Sequence, residues 1–168
     1  MRQVKLGGNP LNLRGDEVKA GNTALNFKAV KQDMSEFDFY KETEGKVKVI
    51  SSVPSLDTGV CALQTTRFNQ EATDLSNDVV IITISVDLPF AQKRFCGAEG
   101  INNIQVVSDH KDVEFGEKYG FIINDLRLLA RGIVVIDREN TVRYVEYVEE
   151  VANHPDYDKA LEEIKKLL

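Results

Sequence analysis

The chain has 168 residues, 42% of them hydrophobic and 29% charged, with a net charge of −6. That length suits one domain with a core of its own, and the negative balance argues against nucleic acid or an anionic membrane as the main partner. No segment approaches the roughly 18 to 20 uninterrupted apolar residues of a membrane span, and the opening MRQVKLGGNPLNLRGDEV lacks the apolar h-region of a signal peptide, so the cytosol is the expected compartment.

Taken in chain order, VKLGGNPLNL predicts two short strands around a Gly-Gly-Asn turn, a hairpin at the start of the chain within residues 1–15. LNFKAVKQDMSEFDFYKETEGK predicts extended segments and loops. KVKVIS, Lys46 to Ser51, is rich in valine and isoleucine and predicts a strand. CALQTTRFNQEATDL predicts a helix, with Leu63, Phe68, Ala72 and Leu75 as its apolar stripe. DVVIITISVD is almost wholly apolar and β-branched, the pattern of a central strand covered on both faces. PFAQKRFCGAEG opens on Pro89 and closes on glycines, which suits a short helix or a mobile turn. NIQVVSD predicts a strand and DVEFGEKYG one or two helical turns. RGIVVID and RENTVRYVEYV predict a hairpin. HPDYDKALEEIKKLL predicts an amphipathic helix that buries Tyr157, Ala160, Leu161, Ile164 and Leu168. The order of elements predicts a mixed α/β sandwich, with a thioredoxin-like fold as the natural candidate, in a single domain over residues 1–168.

Two cysteines and two histidines could total four zinc ligands, and the two cysteines are the only thiols in the sequence. Where thiols are kept reduced, a cysteine pair is more often redox-active or metal-binding than a static disulfide. The order Cys61, Cys96, His110, His154 contains neither C-x-x-C nor paired histidines, which argues against a closed zinc site. If PSLDTGVC turns a strand into a helix, Cys61 lies in the first helical turn, where unpaired N–H groups and the positive end of the dipole favour a thiolate. Asp57 or Thr58 can cap that helix, and Thr58, three residues before Cys61, can share its space. The competing reading is that Cys61 is a small buried hydrophobe. Cys96, in RFCGAEG, supplies a second thiol beside glycines that permit movement, as a resolving partner requires.

PSLDTGVC also matches the P-x-x-x-T-x-x-C motif of the peroxiredoxins. With GNPLNLRG, VISSVPSLDTGVCALQTTRFNQEA, RFCGAEGI and LLARGIVVID, the chain resembles the bacterial thiol peroxidase subfamily over nearly its full length. The resemblance implies a thioredoxin-like fold with an N-terminal hairpin and a thiol-dependent peroxidase that acts on hydrogen peroxide and organic hydroperoxides. It implies that Cys61 is the peroxidatic cysteine and that Cys96 of the same subunit resolves it through a disulfide. It gives Thr58 as the hydroxyl that bonds thiolate and peroxide, Arg131 as the arginine that completes the site, and Pro54 as the shield over the sulfur. It implies a homodimer, recycling by thioredoxin or a similar dithiol reductant, and no metal, haem or flavin cofactor. By composition alone, Arg127 and Arg131 could each be an ordinary surface charge. The chain departs from the family's A-P-x-F segment with ALNF, Ala24 to Phe27, and that difference is expected to loosen the turn.

Two other readings stand beside this one. A disulfide oxidoreductase would need adjacent cysteines, whereas these lie 35 positions apart. A noncatalytic thioredoxin-fold binding module would show slow peroxide chemistry and no preference between the two thiols. Phe27, Phe90 and Phe121 could line a pocket for alkyl hydroperoxides, with buried core as their alternative use.

Overall fold

The computed structural model describes residues 2–168; Met1, the first residue of the expected hairpin segment, lies outside them. The chain opens with strands β1 (Gln3–Leu6) and β2 (Asn9–Arg14), paired antiparallel across a turn at Gly7 and Gly8, both at positive φ. The turn is pinned from outside, because the Glu150 carboxylate accepts from both glycine N–H groups. β3 (Lys28–Val30) and β4 (Glu36–Asp38) follow, in keeping with the extended segments predicted there, then a four-residue helix α1 (Phe39–Glu42) that the predicted extended segments and loops do not include. Asp38 explains that helix: its carboxylate caps the first turn by accepting from the Lys41 N–H.

Next come β5 (Val47–Ser52), α2 (Gly59–Ala72), β6 (Val79–Ser85), α3 (Pro89–Glu99) and β7 (Gln105–Ser108), with β5, β6 and β7 parallel. Helix α4 (Glu114–Tyr119), two-residue strands β8 (Ile122–Ile123) and β9 (Leu128–Leu129), the β10 (Gly132–Ile136) and β11 (Val142–Tyr147) hairpin, and α5 (Tyr157–Lys165) complete the chain. The main sheet runs β11-β10-β5-β6-β7-β3-β4, and a smaller one runs β1-β2-β8-β9. β6 is the middle strand of seven, as its apolar run predicts.

Strand alternation divides the core between the two faces of the main sheet. Ile50, Ile82, Ile84, Val134 and Ile136 point to one side, where Phe27, Phe39, Phe115, Tyr119 and Phe121 stack. Val47, Val49, Ile81, Ile133 and Val135 point to the other, against Phe68 of α2 and Ala160, Leu161 and Ile164 of α5. Phe27 and Phe121 are therefore core, while Phe90 is 67% exposed on α3. The ALNF turn, without the family's proline, is held by two long-range hydrogen bonds. Ala24 N–H donates to Asn140 O, and the Tyr119 hydroxyl donates to Leu25 O at 2.7 Å.

Two helices depart from their predicted faces. α2 exposes Leu63 and half-buries Ala72 and Leu75, while Gln64, Thr65 and Asn69 are buried. Each finds a polar partner: Gln64 meets Ser51 Oγ and Ser52 O at the end of β5, Thr65 donates to Cys61 O in its own helix, and Asn69 accepts from the Asn102 and Asn103 N–H groups. α5 buries Ala160, Leu161 and Ile164 and half-buries Tyr157, but Leu168, beyond the last helical residue, is exposed. RFCGAEG is helical rather than an irregular turn: α3 continues to Glu99 and ends at Gly100, whose left-handed φ of 67° supports a C-cap with its N–H on Cys96 O.

Candidate active site

β5 delivers the chain to the site. Its last two residues, Ser51 and Ser52, are fully buried hydroxyls at the carboxyl end of the parallel strands, where open α/β sheets place their sites. A connection through Val53, Pro54, Ser55 and Leu56 then turns into α2, with Thr58 as the N-cap residue. Cys61 is the third helical residue and has no exposed surface.

The first helical hydrogen bond runs from Ala62 N–H to Thr58 O, so the N–H groups of Gly59, Val60 and Cys61 precede the helical ladder. Thr58 does not close them off, because its side chain makes no cap bond. Its hydroxyl instead donates back to Ser55 O at 3.1 Å, and it makes no hydrogen bond with the Cys61 sulfur. The expected hydroxyl is thus beside the helix start, but in this state it is bonded elsewhere. Pro54 is buried within the connection that leads to α2.

The partner of the sulfur is Arg131. Its Nη2 donates to Cys61 Sγ at 3.1 Å, its Nη1 to Gln64 Oε1 at 2.9 Å and its Nε to Val151 O at 2.7 Å. The side chain is 2% exposed. Burying a guanidinium costs roughly several kcal/mol unless its donors are satisfied. Each of its three nitrogens makes one hydrogen bond, to a carbonyl, an amide oxygen and a sulfur, and none of the three acceptors carries a formal charge unless the sulfur does. Arg127, four residues earlier, is exposed and donates to His110 O.

The arginine is held by the same serines that end β5. Gln64 Nε2 donates to Ser51 Oγ at 2.7 Å, which fixes the amide with its oxygen toward Arg131. Ser52 Oγ donates to Ala130 O at 2.8 Å, one residue before the arginine. Gly132, one residue after it, has no room for a Cβ between Glu146 O and the Phe121 ring, which accounts for the Arg-Gly pair in LLARGIVVID. Sequence reasoning missed Gln64, because a polar residue on a helix normally reads as solvent-facing. Its one-turn spacing from Cys61 was the only available signal. Tyr157 is half-buried nearby; burial pushes its hydroxyl up, while Arg131 and Arg67 pull it back.

Cys96 sits in the last turn of α3 and is 8% exposed. Its sulfur accepts from Gln32 Nε2 at 3.4 Å, a partner that sequence reasoning also missed. Burial pushes the Cys96 thiol above the ordinary cysteine range, and the Gln32 amide pulls it part of the way back. Both cysteines are free thiols and share one apolar cluster with Val53, Leu56, Ile101 and Val106. The site therefore holds a buried thiol against a fixed positive charge and a second thiol across a common apolar patch.

Comparison with known proteins follows the same lines. The family model described as Redoxin matches residues 19–161. The thiol peroxidase of Oceanobacillus iheyensis is 51% identical over 166 residues, covering 99% of this chain and 100% of that one. The thiol peroxidase of Bacillus subtilis is 48% identical over 168 residues, covering 100% and 99%. Among solved structures, a peroxiredoxin-like protein from Aquifex aeolicus superposes with a TM-score of 0.93 at 39% identity, covering 100% of this chain and 98% of that one.

Proposed function

The chain belongs to the Redoxin family, and we propose how it works: it is a thiol-dependent peroxidase with a thioredoxin-like fold, in which Cys61 is the nucleophile and Cys96 resolves it. The observation that carries the assignment is the buried Arg131 guanidinium aimed at Cys61 Sγ, with no carboxylate among its hydrogen-bond partners. A fixed buried cation beside the sulfur is placed to meet the negative charge that develops on the oxygen the sulfur displaces.

In the first step, the Cys61 thiolate attacks one peroxide oxygen and the O–O bond breaks. Charge moves from sulfur to the departing oxygen, which leaves as water or an alcohol after taking a proton. Cys61 becomes a sulfenic acid. Donors already fixed around that charge lower the barrier. Arg131 supplies one, and the uncapped N–H groups of Gly59, Val60 and Cys61 supply others. Thr58 takes its part once peroxide enters: with its proton committed to Ser55 O, its oxygen is an acceptor for the peroxide O–H. Pro54 helps keep bulk water from the sulfur. In the second step, the Cys96 thiolate attacks the sulfenic sulfur, forms the S–S bond and releases hydroxide, which is protonated to water. Cys96 is oxidised and the sulfenic sulfur reduced. Both cysteines lie inside helical turns, so closing the bond requires the first turn of α2 and the last turn of α3 to yield. A dithiol reductant such as thioredoxin then restores both thiols.

No helix among the described residues is long and apolar enough to cross a membrane. We place the protein in the cytoplasm as a single domain and as a homodimer, in keeping with its two free thiols and the family reading. One equivalent of cumene hydroperoxide tests the chemistry. Wild type is expected to lose both free thiols and two hydrogens in mass, and a dithiol is expected to reverse it. Unchanged thiol count and mass would favour the noncatalytic binding module instead.

A further inference from the structure

The connection that carries Cys61 is tied to the segment that carries Cys96 by one carboxylate outside the catalytic set. Asp87 lies between β6 and α3. Its Oδ1 accepts from Ser55 Oγ at 2.7 Å, and its Oδ2 accepts from Leu56 N–H at 2.8 Å and from Ser85 Oγ at 2.7 Å. The network continues into α3, where Gln92, one turn before Cys96, donates from Nε2 to Ser85 Oγ at 3.0 Å and to Val107 O at 2.9 Å. Ser85 and Gln92 are both fully buried. On the other side, Ser55 is the hub of the loop. Its carbonyl accepts from the Thr58 N–H at 3.2 Å and from Thr58 Oγ1 at 3.1 Å, and its Oγ accepts from Asp57 N–H at 3.2 Å.

We infer that Asp87 is a positioning residue for the peroxide step, acting through Ser55 and Leu56 to fix Thr58 and the uncapped first turn of α2 around Cys61. A carboxylate suits this place because all three of its contacts come from donors, and an ionised carboxylate can only accept. The Leu56 N–H cannot reverse its polarity, and the Ser55 and Ser85 hydroxyls each give their one proton to the carboxylate. The direction of the Thr58 hydroxyl follows from where the Ser55 carbonyl points. Asp87 itself touches neither sulfur nor substrate. Its effect is geometric, and small displacements of a reacting constellation can cost about 100-fold in rate.

This rests on Cys61 being the peroxide nucleophile, and the test separates the two claims. In a Cys96→Ser parent, which isolates the first step, rapid-quench mass spectrometry follows oxygen addition at Cys61 for the parent, Asp87→Ala, Asp87→Asn and Ser55→Ala. Alkylation by iodoacetamide is timed on the same proteins, because it needs the thiolate but not an oriented peroxide. The inference predicts that Asp87→Ala slows peroxide addition by about 10-fold to 100-fold, while alkylation slows by no more than about threefold. Asp87→Asn, which keeps one oxygen for the Leu56 N–H, should recover part of the loss, and Ser55→Ala should share it. Peroxide rates that stay within about threefold of the parent overturn the inference. So does a parallel fall in both rates, which would mean general loosening of the fold. If Asp87→Ala does not fold, Asp87→Asn and Ser55→Ala decide by the same two rates. A parent that adds no oxygen at Cys61 would instead overturn the functional reading beneath it.

Discussion

Cys61 and Cys96 are both buried thiols in helices, but they occupy opposite ends. Cys61 lies in the first turn of α2, where the helix dipole and free N–H groups favour negative charge, and a guanidinium donates to its sulfur at 3.1 Å. Cys96 lies in the last turn of α3, where the dipole opposes negative charge, and among the described residues only a neutral amide reaches it, at 3.4 Å. The chemistry proposed for each follows from that contrast. The thiol that must react first has a fixed cation, and the thiol that must wait stays protonated through burial. Neither role is a property of cysteine alone.

The largest way to break the contrast is to change the cation. Arg131→Lys keeps the charge but cannot reproduce a fork that holds Val151 O, Gln64 Oε1 and Cys61 Sγ together. We expect the peroxide rate to fall by about 100-fold to 1000-fold, as for loss of a preorganised donor. Stopped-time mass spectrometry checks it, and near-normal kinetics would remove Arg131 from the mechanism. Gln64→Leu acts one step further out. It leaves Nη1 of Arg131 and the hydroxyl of Ser51 without their partner, so stability should fall by about 1 to 3 kcal/mol in urea titration. The peroxide rate should fall as well, by less than for Arg131→Lys.

Smaller changes sharpen the Cys96 side. Gln32→Leu removes the one donor that opposes burial there. In a Cys61→Ser protein, the pH midpoint for alkylation of Cys96 should then move upward from its already raised position. An unchanged midpoint would mean the amide does not influence the thiol. The same raised thiol has a stability signature. Above the ordinary value of 9.0, the unfolded chain gives up this proton while the folded chain keeps it, so the unfolded state binds fewer protons. The contribution is fully present below that pH and is lost as pH rises through the folded value. Cys96→Ala should remove this part of the alkaline decline in melting temperature.

Much of this was legible in the chain. The central strand reads from a continuous β-branched run, the β10–β11 hairpin from its turn, and the position of Cys61 from a strand, a turn and a helix in succession. The polar half of the site was not. Gln64 faces inward to the serines that end β5, Thr65 returns its hydroxyl to Cys61 O, and Asn69 accepts from the Asn102 and Asn103 N–H groups after α3, and that depends on what surrounds α2 rather than on its own periodicity. The same periodicity predicts Leu63 in the buried stripe, and it is 58% exposed. Arg127 and Arg131 are indistinguishable in composition. Only β10, seated beside β5, puts Arg131 under cover and leaves Arg127 outside. Gln32 comes from a loop 64 positions before the sulfur it touches, a separation no local pattern reveals.

The central claim is that environment, not residue type, makes Cys61 the nucleophile. The most direct test compares the two single-cysteine proteins, Cys96→Ser and Cys61→Ser, mixed with the same small amount of cumene hydroperoxide and quenched over time for intact mass. The protein retaining Cys61 is expected to add one oxygen faster by at least about 1000-fold, the scale of several kcal/mol of transition-state stabilisation. Equal rates, or a faster reaction at Cys96, would contradict it.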